Sequence, residues 1–247
     1  MTEELRHALD AGEFVLHYQP KMNLVTHRFI AAEALLRWQH PHRGLLLPSE
    51  FLEAAEQAGL AVPLGRWVLE TAVQQIADWT AKGLDLGVCV NFSPPELSNP
   101  ALLDHLDEVT TRFGIDPEKV NVEMTESAAV TDLETTVDHV LGIRRRGMHV
   151  TLDDFGTGYS SLTWLQRLPV DMLKIDQSFT RRLGDHPQTY AIVDAVIRLS
   201  HALGLVTIAE GVETAQHLAQ LAELGCDSAQ GYYLSPPVPA AQLPVLV

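Results

Sequence analysis

Short apolar segments alternate with longer amphipathic ones along nearly the whole chain. The short segments are rich in β-branched and aliphatic residues. They predict strands at Phe14–Leu24, Phe29–Trp38, Leu86–Ser93, Val120–Glu126, His149–Gly156, Met172–Asp176, Val206–Val212 and Ser228–Ser235. Only "VTHR" separates the first two, a length that suits a hairpin, so this pair is expected to be antiparallel. Between the later strands, apolar residues recur at helical spacing. "PSEFLEAAEQAG" opens on a Pro-Ser cap signal and stops at Gly59, and Leu64–Lys82 stops at Gly83. Ala101–Phe113, Asp132–Arg146, Gln188–Leu203 and Thr214–Leu224 follow, each with a glycine just beyond its end.

Strand, helix, strand repeated in this way implies a mostly parallel sheet. Eight predicted strands in 247 residues favour a closed α/β barrel, which typically takes about 250 residues, over an open doubly wound sheet. No GxGxxG follows a first strand, which weakens the open-sheet alternative. No linker-like or low-complexity stretch divides the chain, so residues 1–247 are read as one domain.

Composition narrows the function classes. The net charge of −15 disfavours non-specific binding to a nucleic-acid polymer or an anionic membrane. If the substrate is anionic, cations must bridge it to the protein. Cys89 and Cys226 lie in apolar segments outside any CxxC cluster and are expected to be reduced core residues, which suits the cytoplasm. No continuous apolar stretch is long enough to span a bilayer, and the acidic "MTEELRHALDAGEF" is not a secretory signal. A cytoplasmic location is therefore expected, including as a domain of a larger sensor protein.

In a parallel α/β barrel the active site forms at the C-terminal ends of the strands. Among the polar residues in or at the ends of the predicted strands, the candidates are Glu33, Asn91, Glu123, Glu126, Asp153, Asp154, Lys174, Asp176, Glu210, Glu213 and Gln230. Any one acid could belong to a structural ion pair. Acids or an amide in seven of the eight strand segments would together make a mouth rich in oxygen ligands, which selects Mg²⁺, Mn²⁺ or Ca²⁺. In "MHVTLDDFGTGYSS" the adjacent Asp153 and Asp154 would face opposite sides of an extended strand. If the backbone turns there, each can hold a different ion. A two-metal site suits phosphoryl displacement by an activated water.

The ordered set "YQP", "EALLRW", "NFS", "EMTES", "DDFGTGYSSL", "LPVDMLKID", "AEGVE" and "QGYYLS" resembles the EAL-domain family of cyclic-di-GMP phosphodiesterases over nearly the whole chain. The resemblance implies a TIM-like (β/α)8 barrel with an antiparallel first strand, and hydrolysis of cyclic di-GMP to linear pGpG. Carried over by position, Glu33, Asn91, Glu123 and Asp153 resemble the ligands of one metal, with Asp153 shared, and Asp154 a ligand of the second. Lys174 resembles the lysine that holds the attacking water, Glu210 the acid near the second metal, and Gln230 an amide that orders water and metal. Lys174, Glu210 and Glu33 are thus the residues implied to carry catalysis. Arg37 resembles a phosphate contact and Gln19 a weaker substrate contact, with core packing as its alternative. Tyr232 or Tyr233 is implied to stack on guanine, the other to lie in the core. Glu126 resembles the acid that anchors the "GTGYSS" loop, and Asp176 and Glu213 resemble acids that orient the ligands. Two Mg²⁺ or Mn²⁺ ions per site are implied. Ca²⁺ is expected to inhibit, because its longer, looser coordination misplaces the nucleophile. A homodimer is a further implication. Non-catalytic members of the family act as receptors, so a cyclic-di-GMP receptor or a signalling scaffold is the alternative reading.

Overall fold

The computed structural model describes residues 2–156, 162–184 and 186–245. Its strands are β1 (Phe14–Asn23), β2 (Arg28–His40), β3 (Gly44–Leu46), β4 (Gly87–Asn91), β5 (Val120–Thr125), β6 (His149–Phe155), β7 (Met172–Ile175), β8 (Val206–Ala209), β9 (Ser228–Ala229) and β10 (Val238–Pro239). The helices are α1 (Thr2–Ala11), α2 (Leu52–Gln57), α3 (Ala61–Ala81), α4 (Pro94–Leu97), α5 (Leu102–Phe113), α6 (Glu126–Thr131), α7 (Leu133–Arg145), α8 (Leu162–Arg167), α9 (Gln177–Thr180), α10 (Pro187–Ala202) and α11 (Ala215–Glu223).

The sheet closes into a barrel. β2, β4, β5, β6, β7, β8 and β9 run parallel in that spatial order, and β1 closes the ring by pairing antiparallel with both β2 and β9. The expected α/β barrel with an antiparallel first strand is therefore present. Alternation along each strand decides which side chains enter the lumen. On β1, Tyr18 packs outward, its ring 4.9 Å from that of Trp79 on α3, so Gln19 and Lys21 turn inward. On β2, buried Ala32 and Ala34 join the outer core and Glu33 faces in. The registers set Gln19 opposite Glu33, Glu33 beside Cys89, and Asn91 beside Glu123.

A second apolar cluster lies under α1, where Leu5 and Ala8 cover Phe14, Trp38, Phe51 and Leu64. Burying Leu5 there contributes roughly 1.5–3 kcal/mol, which gives this amphipathic segment its reason to dock.

The structure departs from the sequence reading at several places. The helix expected over Pro48–Gly59 is a 3₁₀ turn (Pro48–Glu50) followed by α2, because Phe51 leaves helical backbone at φ −142° to enter the second cluster. The strand expected to end at Glu126 stops at Thr125, whose side chain accepts the Ala128 amide and caps α6, so Glu126 opens a helix. The last predicted strand, Ser228–Ser235, is only Ser228–Ala229. Gly231 packs so tightly on Val212 that a Cβ would come within 2.2 Å of its backbone nitrogen, and the chain turns there. Cys89 and Cys226 are free and buried, as expected. Among the described residues, no helix is long and apolar enough to cross a membrane.

Candidate active site

Glu33, Glu123, Asp153 and Glu210 converge on Lys174 inside the barrel. Lys174 is fully buried, and its Nζ lies 2.7 Å from Glu210 Oε1, 2.8 Å from Asp153 Oδ2, 2.9 Å from Glu123 Oε2 and 3.4 Å from Glu33 Oε2. Amides fix two of the acids further. Asn91 Nδ2 donates to Glu33 Oε1 at 2.7 Å, and Gln230 Nε2 donates to Glu33 Oε2 at 2.6 Å and to Glu210 Oε1 at 3.2 Å. Gln230 Oε1 is buried without a hydrogen-bond partner among the described residues.

The strand end explains the paired aspartates. Asp154 adopts a left-handed backbone, φ 57°, and its N–H donates to Asp153 Oδ1 at 2.7 Å. The pairing of β6 with β7 shifts register between Leu152 and Phe155. A left-handed residue other than glycine costs roughly 1–2 kcal/mol, least for Asp or Asn. The turn lets consecutive carboxylates serve one site. Carboxylate oxygens of Asp153, Asp154 and Glu210 lie within 4.8 Å of one another, as do those of Glu33, Glu123 and Asp153. Asp153 belongs to both triplets.

The protein's own charges pull these acids apart. Burial raises Glu33, but Lys174, Lys21 and the two amides outweigh it and hold Glu33 at about 2. Burial, opposed by Lys174 and reinforced by Glu123 and Glu33, pushes Asp153 up to about 6. Burial and repulsion from Asp153 and Glu33 push Glu210 up to about 8 against Lys174. Burial, Asp176 and Glu33 also raise Asp154. Lys174 itself is raised, since its four carboxylate neighbours overcome burial. An all-oxygen donor set with surplus negative charge and an orphaned amide oxygen beside it fits hard divalent cations. The first triplet with Asn91 could hold one, and the second triplet another.

The other expected site residues surround this centre. Arg37 is buried, its Nη1 donating to Leu36 O at 2.7 Å; burial lowers its pKa, and Tyr232 and Glu33 are near enough to oppose that. Tyr232 is 68% exposed and Tyr233 48%, so neither is the core residue expected of one of them, because the turn at Gly231 carries both outward. Gln19 is buried and donates through Nε2 to Ser235 O at 3.0 Å. Glu126 is buried in the first turn of α6; of the loop it was expected to anchor, Gly156–Ser161, residues 157–161 lie outside the described residues. Asp176 caps α9 by accepting the Ser178 amide at 2.9 Å and adds negative charge near Asp154. Glu213 makes an exposed ion pair with Arg181 at 2.8 Å.

Sequence reading missed Lys21. Its Nζ donates to Glu123 Oε1 and lies 3.2 Å from Cys89 Sγ, all three buried. The signal was available: Lys21 stands two residues from Gln19 on the same inward face of β1.

Comparison with known proteins agrees with this geometry. The EAL domain family model matches residues 2–237. The chain is 41% identical over 244 residues to the bifunctional diguanylate cyclase/cyclic di-GMP phosphodiesterase MucR of Pseudomonas aeruginosa, covering 98% of this chain and 36% of MucR. It is 41% identical over 242 residues to the cyclic di-GMP phosphodiesterase PdeR of Escherichia coli, covering 97% of this chain and 36% of PdeR. The chain thus spans little more than a third of these relatives. The solved MucR phosphodiesterase complex with c-di-GMP superposes with a TM-score of 0.92 at 41% identity, covering 98% of both chains. The FimX EAL domain of P. aeruginosa bound to c-di-GMP superposes at 0.88 with 29% identity, covering 96% of this chain and 95% of that one.

Proposed function

This chain belongs to the EAL domain family, and from that premise we propose that it hydrolyses one phosphodiester of cyclic di-GMP to give linear pGpG. The observation that carries the reading is the pair of carboxylate triplets joined at Asp153 around buried Lys174. Residues 1–247 act in this reading as one EAL-type domain located in the cytoplasm, able to form a homodimer.

Glu33, Asn91, Glu123 and Asp153 would hold one Mg²⁺ or Mn²⁺, and Asp153, Asp154 and Glu210 a second. Such cations lower the pKa of water and offset phosphate charge. Ca²⁺, with longer and looser coordination, inhibits. Glu210, close to both Asp153 and Asp154, would be placed to take a proton from the attacking water. Lys174 keeps four carboxylates in place and donates toward the water and the scissile phosphate. Gln230 Oε1 is free to accept from that water. Arg37 contacts a phosphate, and the exposed ring of Tyr232 stacks on a guanine, with Gln19 at the margin. Glu126, Asp176 and Glu213 shape the surrounding loops.

Incubation with cyclic di-GMP and Mg²⁺, followed by separation of the nucleotides, tests the reading. It expects pGpG to appear. Tight binding of cyclic di-GMP with none consumed would make the protein a receptor instead.

A further inference from the structure

Glu123 is fully buried between two lysines. Lys21 Nζ, arriving from β1, donates to Oε1, and Lys174 Nζ, from β7, lies 2.9 Å from Oε2. The two lysines differ in what else they touch. Lys174 also reaches Glu33, Asp153 and Glu210. The one other polar group described within hydrogen-bond distance of Lys21 Nζ is Cys89 Sγ at 3.2 Å. Among the described carboxylates Lys21 bonds directly to Glu123 Oε1 alone, while its charge also acts on Glu33 from further off.

We propose that Lys21 is a positioning residue that occupies Glu123 Oε1, restricts Glu123 to one-oxygen binding of a divalent cation, and weakens that cation's affinity to a level compatible with turnover. The inference rests on the metal-dependent reading above. A cation among Glu33, Glu123 and Asp153 competes with Lys174 for oxygens, because Lys174 touches all three. It does not compete with Lys21, which holds the other oxygen of Glu123. Glu123 therefore meets the cation with one oxygen already committed and its rotamer set. The bland alternative is that Lys21 is only a counter-charge that lets Glu123 be buried. The two differ in the sign of one observable. A counter-charge supports the fold and the site together, so its loss weakens both. A positioning residue with a cation's own sign of charge opposes metal binding, so its loss strengthens binding while misaligning the ligand.

The test compares wild type, Lys21→Met and Lys21→Arg. A cavity of about 480 Å³ at the opposite end of the barrel reaches Lys21 and Cys89, so water can enter the space a shorter side chain leaves. Mn²⁺ affinity is read from the loss of the free-ion electron paramagnetic resonance signal, beside the melting temperature in EDTA and kcat for cyclic di-GMP. Lys21→Met is expected to bind Mn²⁺ about tenfold more tightly than wild type, with kcat lowered roughly tenfold or more. Lys21→Arg, which keeps the charge, is expected to stay within about threefold of wild-type Mn²⁺ affinity. Unchanged or weaker Mn²⁺ binding by folded Lys21→Met overturns the inference. If Lys21→Met does not fold, Lys21→Gln is judged by the same thresholds. Absence of Mn²⁺ binding by wild type overturns the metal reading itself and is distinguished in the first titration.

Discussion

The backbone N–H of Asp154 donates to Asp153 Oδ1 at 2.7 Å while Asp154 itself sits at φ 57°. This local turn converts two residues that an extended strand would point apart into neighbours of one site, with Glu210 close to both. Asp154 contributes both its charge and its tolerance of left-handed backbone, and the two can be separated by substitution.

Asp154→Asn keeps the shape and the tolerated backbone but removes one charge. It also relieves repulsion from Asp176 and Glu33. The melting temperature should match or slightly exceed wild type, while turnover of cyclic di-GMP falls by about 100-fold or more. Asp154→Val adds backbone strain of roughly 1–2 kcal/mol and should lower the melting temperature by a few degrees as well. Wild-type kcat for Asp154→Asn at saturating Mg²⁺ would remove Asp154 from the metal site.

Lys174→Met leaves Glu33, Glu123, Asp153 and Glu210 without their shared partner. Breaking a buried ion pair from one side costs about 3–5 kcal/mol. Thermal unfolding in EDTA should show that loss, and Mn²⁺ should raise the melting temperature more in the variant than in wild type, since a cation can supply the missing charge. Equal stabilisation of both by Mn²⁺ would place the cation elsewhere.

Glu96 offers a pH test away from the centre. It is buried against Gly65, where a Cβ would fall 1.7 Å from its Oε1, and it accepts the Ser93 N–H at 2.9 Å. Burial pushes it up to about 7, with the Ser93 hydrogen bonds opposing. A carboxyl raised in the folded state favours folding below its unfolded value near 4.5, and that advantage is lost as pH rises toward 7. Glu96→Gln does not titrate. Its stability relative to wild type should climb between about pH 4.5 and 7 and then level off, by about 3 kcal/mol at most. Parallel melting curves for the two proteins across that range would contradict the assignment.

Much of the site was legible from the sequence because strands carry their chemistry at predictable ends. Asp153, Lys174 and Glu210 each lie at or near the end of an aliphatic run, and the barrel brings such ends together. Lys21 escaped notice because it lies inside the first predicted strand, and only closure of the barrel by β1 brings it to Glu123 on β5. The expectation that one of the two tyrosines lies in the core failed because their exposure depends on Gly231 packing against Val212, a contact between distant segments. Glu126 was placed on a strand because nothing in the apolar pattern marks Thr125 as a helix cap; only the hydrogen bond to Ala128 does. Phe51 broke a helix that local propensity favoured, because burial beside Phe14 and Trp38 was worth more.

In the proposed mechanism the oxygen-rich centre works only with divalent cations bound. Conversion of cyclic di-GMP to pGpG is followed in one protein preparation before EDTA, in excess EDTA, and after Mn²⁺ is restored in excess over EDTA. Turnover should vanish in EDTA and return with Mn²⁺. Equal turnover in excess EDTA would rule the cations out.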